Sequence, residues 1–291
     1  MITIENEILR VQITEYGAEL QSIFHKKNDI EYLWQGDPAV WYGRSPLLFP
    51  NVGRLEGDKI TVDGTVYPLM KHGFARKSTF TVLTQTKNSV DLTITSTEET
   101  LTHYPYSFRL IVRYTVEGNR LETRYLVQNT GNGDMYFCIG GHPGFNVPLQ
   151  DGAGYEDYYL EFSEAEPLTT YKLDPVTTMF TDKMESVEQD GKKLWLKTDL
   201  FADDALVFHQ LKSQKVTLKT DKNPRAVQVD FREFPWIGFW SNHPSTGYVC
   251  IEPWFGHDDE IGYAGEWKDK EGMQYVAAEG EWSAAFTAAF I

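Results

Sequence analysis

Apolar and polar residues alternate with a period of two through most of this chain. The stretches ILRVQIT, FTVLTQT, VDLTITST, FRLIVRYTV, LETRYLVQN, YYLEFSE, KLWLK, ALVFHQL, KVTLKT, AVQVDF and YVCIEPW all carry the pattern. Successive side chains of an extended backbone point to opposite faces, so each stretch reads as a strand with one apolar face. Turn residues separate the strands: Asp63-Gly64, Asn88-Ser89, the run NTGNGD at 129–134, and Asp190-Gly191. Gly118-Asn119 falls between two long alternating runs and predicts a tight hairpin. Helical pattern is confined to STEETLTHY, with Ser96 or Thr97 as its cap. The expectation is an all-β fold, a sandwich of large antiparallel sheets with very little helix. No repeat, low-complexity tract or linker interrupts the pattern, so residues 1–291 read as a single domain.

Charge narrows the function. The chain carries a formal net charge of −15, with a pI near 4.9. Such a surface repels phosphate backbones and anionic lipid, which argues against nucleic acid and membrane partners and leaves a small molecule as the partner. The opening MITIENEILRVQITEYG has neither the basic nor the apolar region of a signal peptide. Cys138 and Cys250 lie in apolar strand-like runs and are expected to be buried, reduced thiols. These features predict a cytoplasmic protein, either monomer or homodimer.

Polar residues break the strand pattern in a few aromatic-rich places. RSPLLFPNVGRLEGD is an irregular loop carrying Arg54, either a surface ion-pairing arginine or a donor fork for sugar hydroxyls or a carboxylate. MKHGFAR presents His72 beside a glycine, either simply exposed or ligand-facing. GGHPGF, residues 140–145, delivers His142 at the end of a strand among small residues, which predicts cleared space for a ligand beside the imidazole. In YVCIEPWFGHDD, Glu252 sits inside an apolar strand and shares a face with Tyr248 and Cys250. A carboxylate there is either a structural ion pair or a base at a pocket wall beside Trp254, whose flat face suits a sugar ring. His257 and Asp258-Asp259 read as a solvated loop without a role. Asp203 and Asp204 precede a strand, and Asp204 is the better placed to accept hydrogen bonds from hydroxyls. Nucleotide-phosphate loops, paired metal-ligand spacings and a serine nucleophile elbow are all missing, so neither cofactor nor metal is expected.

Taken in order, GAELQSI, LLFPNVGRL, HGFAR, GGHPGF and IEPWFG resemble the aldose 1-epimerase (mutarotase) family, specifically its short LacX-type branch, along essentially the whole chain. The resemblance implies a galactose mutarotase-like β-supersandwich with a cleft on one sheet. It implies His142 as catalytic acid and Glu252 as catalytic base, with Arg54, His72 and Asp204 holding a monosaccharide. Two departures leave the sugar preference open: His72-Gly73-Phe74 stands where longer relatives carry His-Gly-Gly, and Gly144-Phe145 where they carry an aromatic pair. Opposite charges in one cleft favour His⁺ with Glu⁻. Three alternatives remain: a non-catalytic carbohydrate-binding protein, a glycoside hydrolase using Asp204 and Glu252, and a hexose-phosphate mutarotase with Arg76 and Lys77 at its rim.

Overall fold

In a computed structural model of the protein, which describes residues 1–242 and 247–291, the alternating stretches pair as antiparallel strands in stacked sheets. The largest sheet has nine strands and runs from Lys193–Trp195 at one edge to Thr81–Gln85 at the other. At its middle, Phe108–Glu117 and Arg120–Asn129 pair over ten residues with strictly alternating burial. Glu117 opposes Arg120, so Gly118-Asn119 is the two-residue turn the sequence predicts. Gly118 supplies the positive φ (58°) that such a turn needs.

A six-stranded sheet lies against the first. Its order is Leu206–His209, Trp236–Trp240, Tyr248–Phe255, Ile139–Gly141 and Leu47–Leu48, and Gly144–Asn146 also pairs with Tyr248–Phe255. Aromatic rings join the two sheets. Phe162 meets Phe208 and Phe239 at centroid distances of 6.2 and 5.8 Å, and Phe145 meets Phe290 at 6.4 Å. Each such fully buried side chain contributes about 1.5–3 kcal/mol of transfer free energy. One contiguous apolar core runs from Ile2 to Phe290. A four-stranded N-terminal sheet covers its flank, with Tyr32 packed on Phe290 at 5.2 Å.

The expected short helix spans Glu98–Leu101 and is capped by Thr97, whose hydroxyl accepts the Thr100 N–H at 3.2 Å. Cys138 and Cys250 are free and buried. Among the described residues, no helix is long and apolar enough to cross a membrane. The architecture is the all-β sandwich that the alternation predicts.

Candidate active site

The site is built on the strand Tyr248–Phe255. It lies between two neighbours in the six-stranded sheet, so it is buried on both faces apart from Phe255. Val249 and Ile251 enter the core, which leaves Cys250, Glu252 and Trp254 on the other face. There Glu252 and Trp254 border a cleft of about 450 Å³, within the roughly 300–1,000 Å³ usual for small-molecule sites.

His142 and Glu252 meet on the cleft floor. His142 Nε2 stands 3.3 Å from Glu252 Oε2, with the two side chains 12% and 1% exposed. His142 follows the strand Ile139–Gly141, and its backbone N–H donates to the Pro46 carbonyl at 3.1 Å. Its ring is boxed by Trp41 at 5.1 Å, Trp240 at 5.6 Å and His72 at 5.9 Å. Glu252 Oε2 and His142 Nδ1 are buried without a hydrogen-bond partner. Buried polar atoms are nearly always satisfied, so orphans on a cleft floor mark a place shaped for a ligand.

Burial decides the protonation of this pair. It holds His142 down at about 3 and pushes Glu252 well above the usual carboxylate range, with Lys71 opposing the shift of Glu252. Burial therefore works against the expectation of His⁺ facing Glu⁻. Removing both groups from water favours a neutral pair that shares one proton over two separated charges.

The glycines beside His142 also act differently from the expectation of cleared space, because aromatic rings fill it. A Cβ on Gly140 would stand 2.5 Å from Trp254 Cδ1, one on Gly141 2.8 Å from the Tyr125 hydroxyl, and one on Gly144 2.9 Å from Trp41 Cζ3. On the neighbouring strand, a Cβ on Gly238 would stand 2.5 Å from Trp254 Cη2. Gly140, Gly144 and Gly238 thus leave room for two indoles, Trp254 and Trp41, which wall the cleft, while Gly141 makes room for Tyr125 and Phe286. Gly238→Ala is expected to cost about 1–3 kcal/mol of stability by overpacking, and to displace Trp254. Thermal unfolding and tryptophan emission read both effects, and an unchanged Tm and spectrum would contradict the packing described.

His72 borders the cleft in a left-handed conformation (φ 65°). Its Nδ1 accepts the Gly53 backbone N–H at 3.1 Å. That bond leaves the proton on Nε2, where it can donate to a ligand. Burial and the nearby cations keep the ring neutral.

Asp204 lines the cleft, also with positive φ (86°), and burial raises its carboxyl above the usual range. Trp254 lines it as well. Arg54 does not. Its Nε donates to Thr178 Oγ1 at 3.4 Å, its guanidinium reaches Asp58 at 3.7 Å, and the side chain borders an adjoining depression.

His257, Asp258 and Asp259 are not a solvated loop, since all three are buried. His257 stacks on Phe180 at 4.8 Å, and Asp259 pairs with Lys270. Asp258 borders the cleft and accepts the Arg54 backbone N–H at 2.5 Å. The strand pattern missed Trp41, Lys71, Trp240 and Asn242, which also line the cleft, as does Arg76, named above only as a rim cation of the hexose-phosphate alternative. The one available signal was WIGFW, whose period-two reading puts Gly238 and Trp240 on one face.

For a metal, His142, Cys250 and Glu252 each offer a ligand atom within 4.8 Å of the others. Burial raises the Cys250 thiol well above its usual value, which keeps it protonated and a poor ligand.

The comparisons agree with this architecture. The family profile described as aldose 1-epimerase matches residues 1–270. The chain is 39% identical over 263 residues to protein LacX of Lactococcus lactis subsp. lactis, covering 88% of this chain and 87% of that protein. A galactose mutarotase related enzyme from Lactobacillus acidophilus superposes with a TM-score of 0.94 at 38% identity, covering 100% of this chain and 97% of that one. A galactose mutarotase-like protein from Lactobacillus casei ATCC 334 also superposes at 0.94, with 30% identity and full coverage of both chains. The chain therefore belongs to the aldose 1-epimerase family.

Proposed function

We propose that the protein is an aldose 1-epimerase that interconverts the α and β anomers of a monosaccharide, with His142 and Glu252 exchanging protons with the sugar. The contact of 3.3 Å between His142 Nε2 and Glu252 Oε2 carries this reading. Ring opening needs one proton delivered to the ring oxygen and one taken from the C1 hydroxyl. Both oxygens are bonded to C1, so the donor and the acceptor must stand side by side. A glycoside hydrolase would instead hold two carboxylates about 5–9.5 Å apart across a glycosidic bond.

The steps balance with the single proton of the pair. A bound sugar supplies polar partners that burial removed, and the proton then rests on His142 while Glu252 is ionised. Glu252 takes the C1 hydroxyl proton, the bond between C1 and the ring oxygen breaks, and His142 Nε2 protonates that oxygen. The open aldehyde turns about the C1–C2 bond. His142 takes the hydroxyl proton back, the ring closes on the other carbonyl face, and Glu252 returns its proton to the new C1 oxygen. His72 donates from Nε2 to a sugar oxygen, Asp204 accepts from hydroxyls, and Trp254 presents its face to the ring. Each positioned proton transfer is worth typically about 10²–10⁴-fold.

Polarimetry of freshly dissolved α-glucose and α-galactose tests the reading. The optical rotation is expected to relax faster than spontaneously, in proportion to protein concentration. Calorimetric binding with an unchanged relaxation rate would make the protein a binder only.

The pH profile is a second expected result. The pair takes up a second proton only near the His142 value of about 3, and its last proton is held up by the raised Glu252. Lowering the pH from roughly 7 to 5 should therefore leave kcat/KM level, whereas a free imidazole would titrate near 6.5. An acid limb with its midpoint near that value would contradict the one-proton pair.

A further inference from the structure

The imidazole of the proposed acid lacks the polar anchor such a ring usually has. A histidine that moves protons normally ties its second nitrogen to a carboxylate or a backbone carbonyl, which fixes the ring and steadies its charged form. His142 Nδ1 is buried and makes no hydrogen bond among the described residues. Glu252 is the one carboxylate among them in ion-pair contact with the ring. Burial, and then the cations Lys71 and Arg76, disfavour a proton on it. The proposed turnover nonetheless rests the proton there while the sugar is bound.

Aromatic rings stand where the polar anchor would be. Trp240 and His72 meet the imidazole at 83° and 85°, whereas the Trp41 indole is inclined to it by only 30°, with 5.1 Å between centroids. That inclination turns the π face of the indole towards the imidazole. Trp41 is itself held in place. It stacks on Tyr248 at 5.1 Å and 17°, and Tyr248 stacks on Trp34 at 4.8 Å and 29°. The Trp41 carbonyl accepts the Trp34 Nε1–H at 2.8 Å, and the Val40 carbonyl accepts an Asn242 Nδ2–H at 2.5 Å. Tyr248 lies on the strand that carries Glu252, so a stack of rings ties the acid to the strand of the base.

Resting on the aldose 1-epimerase reading, we propose that Trp41 is a positioning residue for anomer exchange, its π face holding the His142 ring towards Glu252 and stabilising the imidazolium formed while the sugar is bound. The electron-rich face of an indole attracts a cation within about 6 Å of its centroid, most strongly where water is excluded. His142 meets both conditions, at 5.1 Å and with its side chain 12% exposed. A neutral imidazole gains less from the same face. The contact therefore favours a proton on His142 and an ionised Glu252, the state in which Glu252 can take the C1 hydroxyl proton.

Exchange NMR of the anomers of glucose and galactose tests this on the wild type, on Trp41→Leu, on Trp41→Phe, and on the last variant made with pentafluorophenylalanine in place of phenylalanine. Leucine keeps apolar bulk without a π face, and the fluorines reverse the charge of the face at nearly the same shape. We expect kcat to fall about tenfold in Trp41→Leu, to stay within about threefold of the wild type in Trp41→Phe, and to fall about tenfold on fluorination, with KM nearly constant. The imidazole nitrogen resonances of His142 under saturating sugar should show the imidazolium fraction falling in step. An effect on KM alone would make Trp41 a wall for the sugar, and equal kcat with and without fluorine would leave it packing alone. Either result, or an imidazolium fraction unchanged by fluorination, would overturn the proposal while leaving the anomerase reading standing. If Trp41→Leu fails to fold, which circular dichroism reads, the phenylalanine and fluorinated forms decide between these outcomes. Turnover of no sugar by the wild type would instead remove the anomerase reading. The same resonances in the free protein, followed from roughly pH 7 to 4, then decide the contact alone: a proton affinity at His142 about tenfold lower beside the fluorinated ring than beside phenylalanine supports it, and equal affinities overturn it.

Discussion

Replacing Glu252 with Gln is expected to lower kcat/KM for anomer interconversion by about 10²–10⁴-fold while leaving the protein folded and more stable. The amide keeps the shape and can still hydrogen-bond, but it cannot take the C1 hydroxyl proton. The stability gain follows from linkage. Burial raises the Glu252 carboxyl in the fold above its ordinary value of 4.5, so the folded state retains a proton that the unfolded chain releases. Wild-type stability is therefore lost as pH rises above about 4.5 and until the folded value is passed. Gln does not titrate, so the Tm advantage of the variant should grow from pH 5 to pH 7 and reach about 2 °C or more. A variant that loses activity and stability together would indicate damaged packing instead of a missing base.

The second large effect concerns the backbone under His72. A Cβ on Gly73 would stand 2.2 Å from the Phe49 carbonyl oxygen, and the residue holds φ at 66°. That oxygen is fixed, since it accepts the N–H groups of Phe74 and Ala75 at 3.0 and 3.1 Å. Gly73→Ala thus meets a clash with backbone in addition to left-handed strain. The expected cost is about 3 kcal/mol, with Tm lowered by roughly 6 °C, and activity should fall as His72 moves. Gly64→Ala is the control: its φ is 74°, but nothing lies within 4 Å of the added carbon. It should cost only the strain, about 1–2 kcal/mol. Equal losses in the two variants would show that the Phe49 contact is not what forbids a side chain at Gly73.

The fold was legible because alternation is a local property. Phe108–Glu117 and Arg120–Asn129 carry it without a break, and Gly118-Asn119 states their turn. Which strand abuts which was not legible, because long-range pairing leaves no short-range signature. His142, His72 and Glu252 stood out because each breaks a strand or loop pattern. Trp41 and Lys71 did not, since nothing local separates an indole or ammonium that lines a cleft from one on the surface. The apparent space around Gly140 and Gly144 misled for a related reason. A glycine shows where bulk is absent, but only the fold shows that Trp254 and Trp41 occupy it. HDD at 257–259 looked solvated because charge usually is, yet Asp259 is buried against Lys270, eleven positions later.

The central claim is that His142 and Glu252 work as one proton-sharing unit, and a double-mutant cycle in anomer-exchange rate tests it most directly. His142→Asn, Glu252→Gln and the double variant would be compared with the wild type on one sugar, by exchange NMR. Groups that act as a unit are strongly non-additive, so the double variant is predicted to be no slower than the worse single one. Losses that multiply, or a double variant as fast as the wild type, would contradict the shared-proton mechanism.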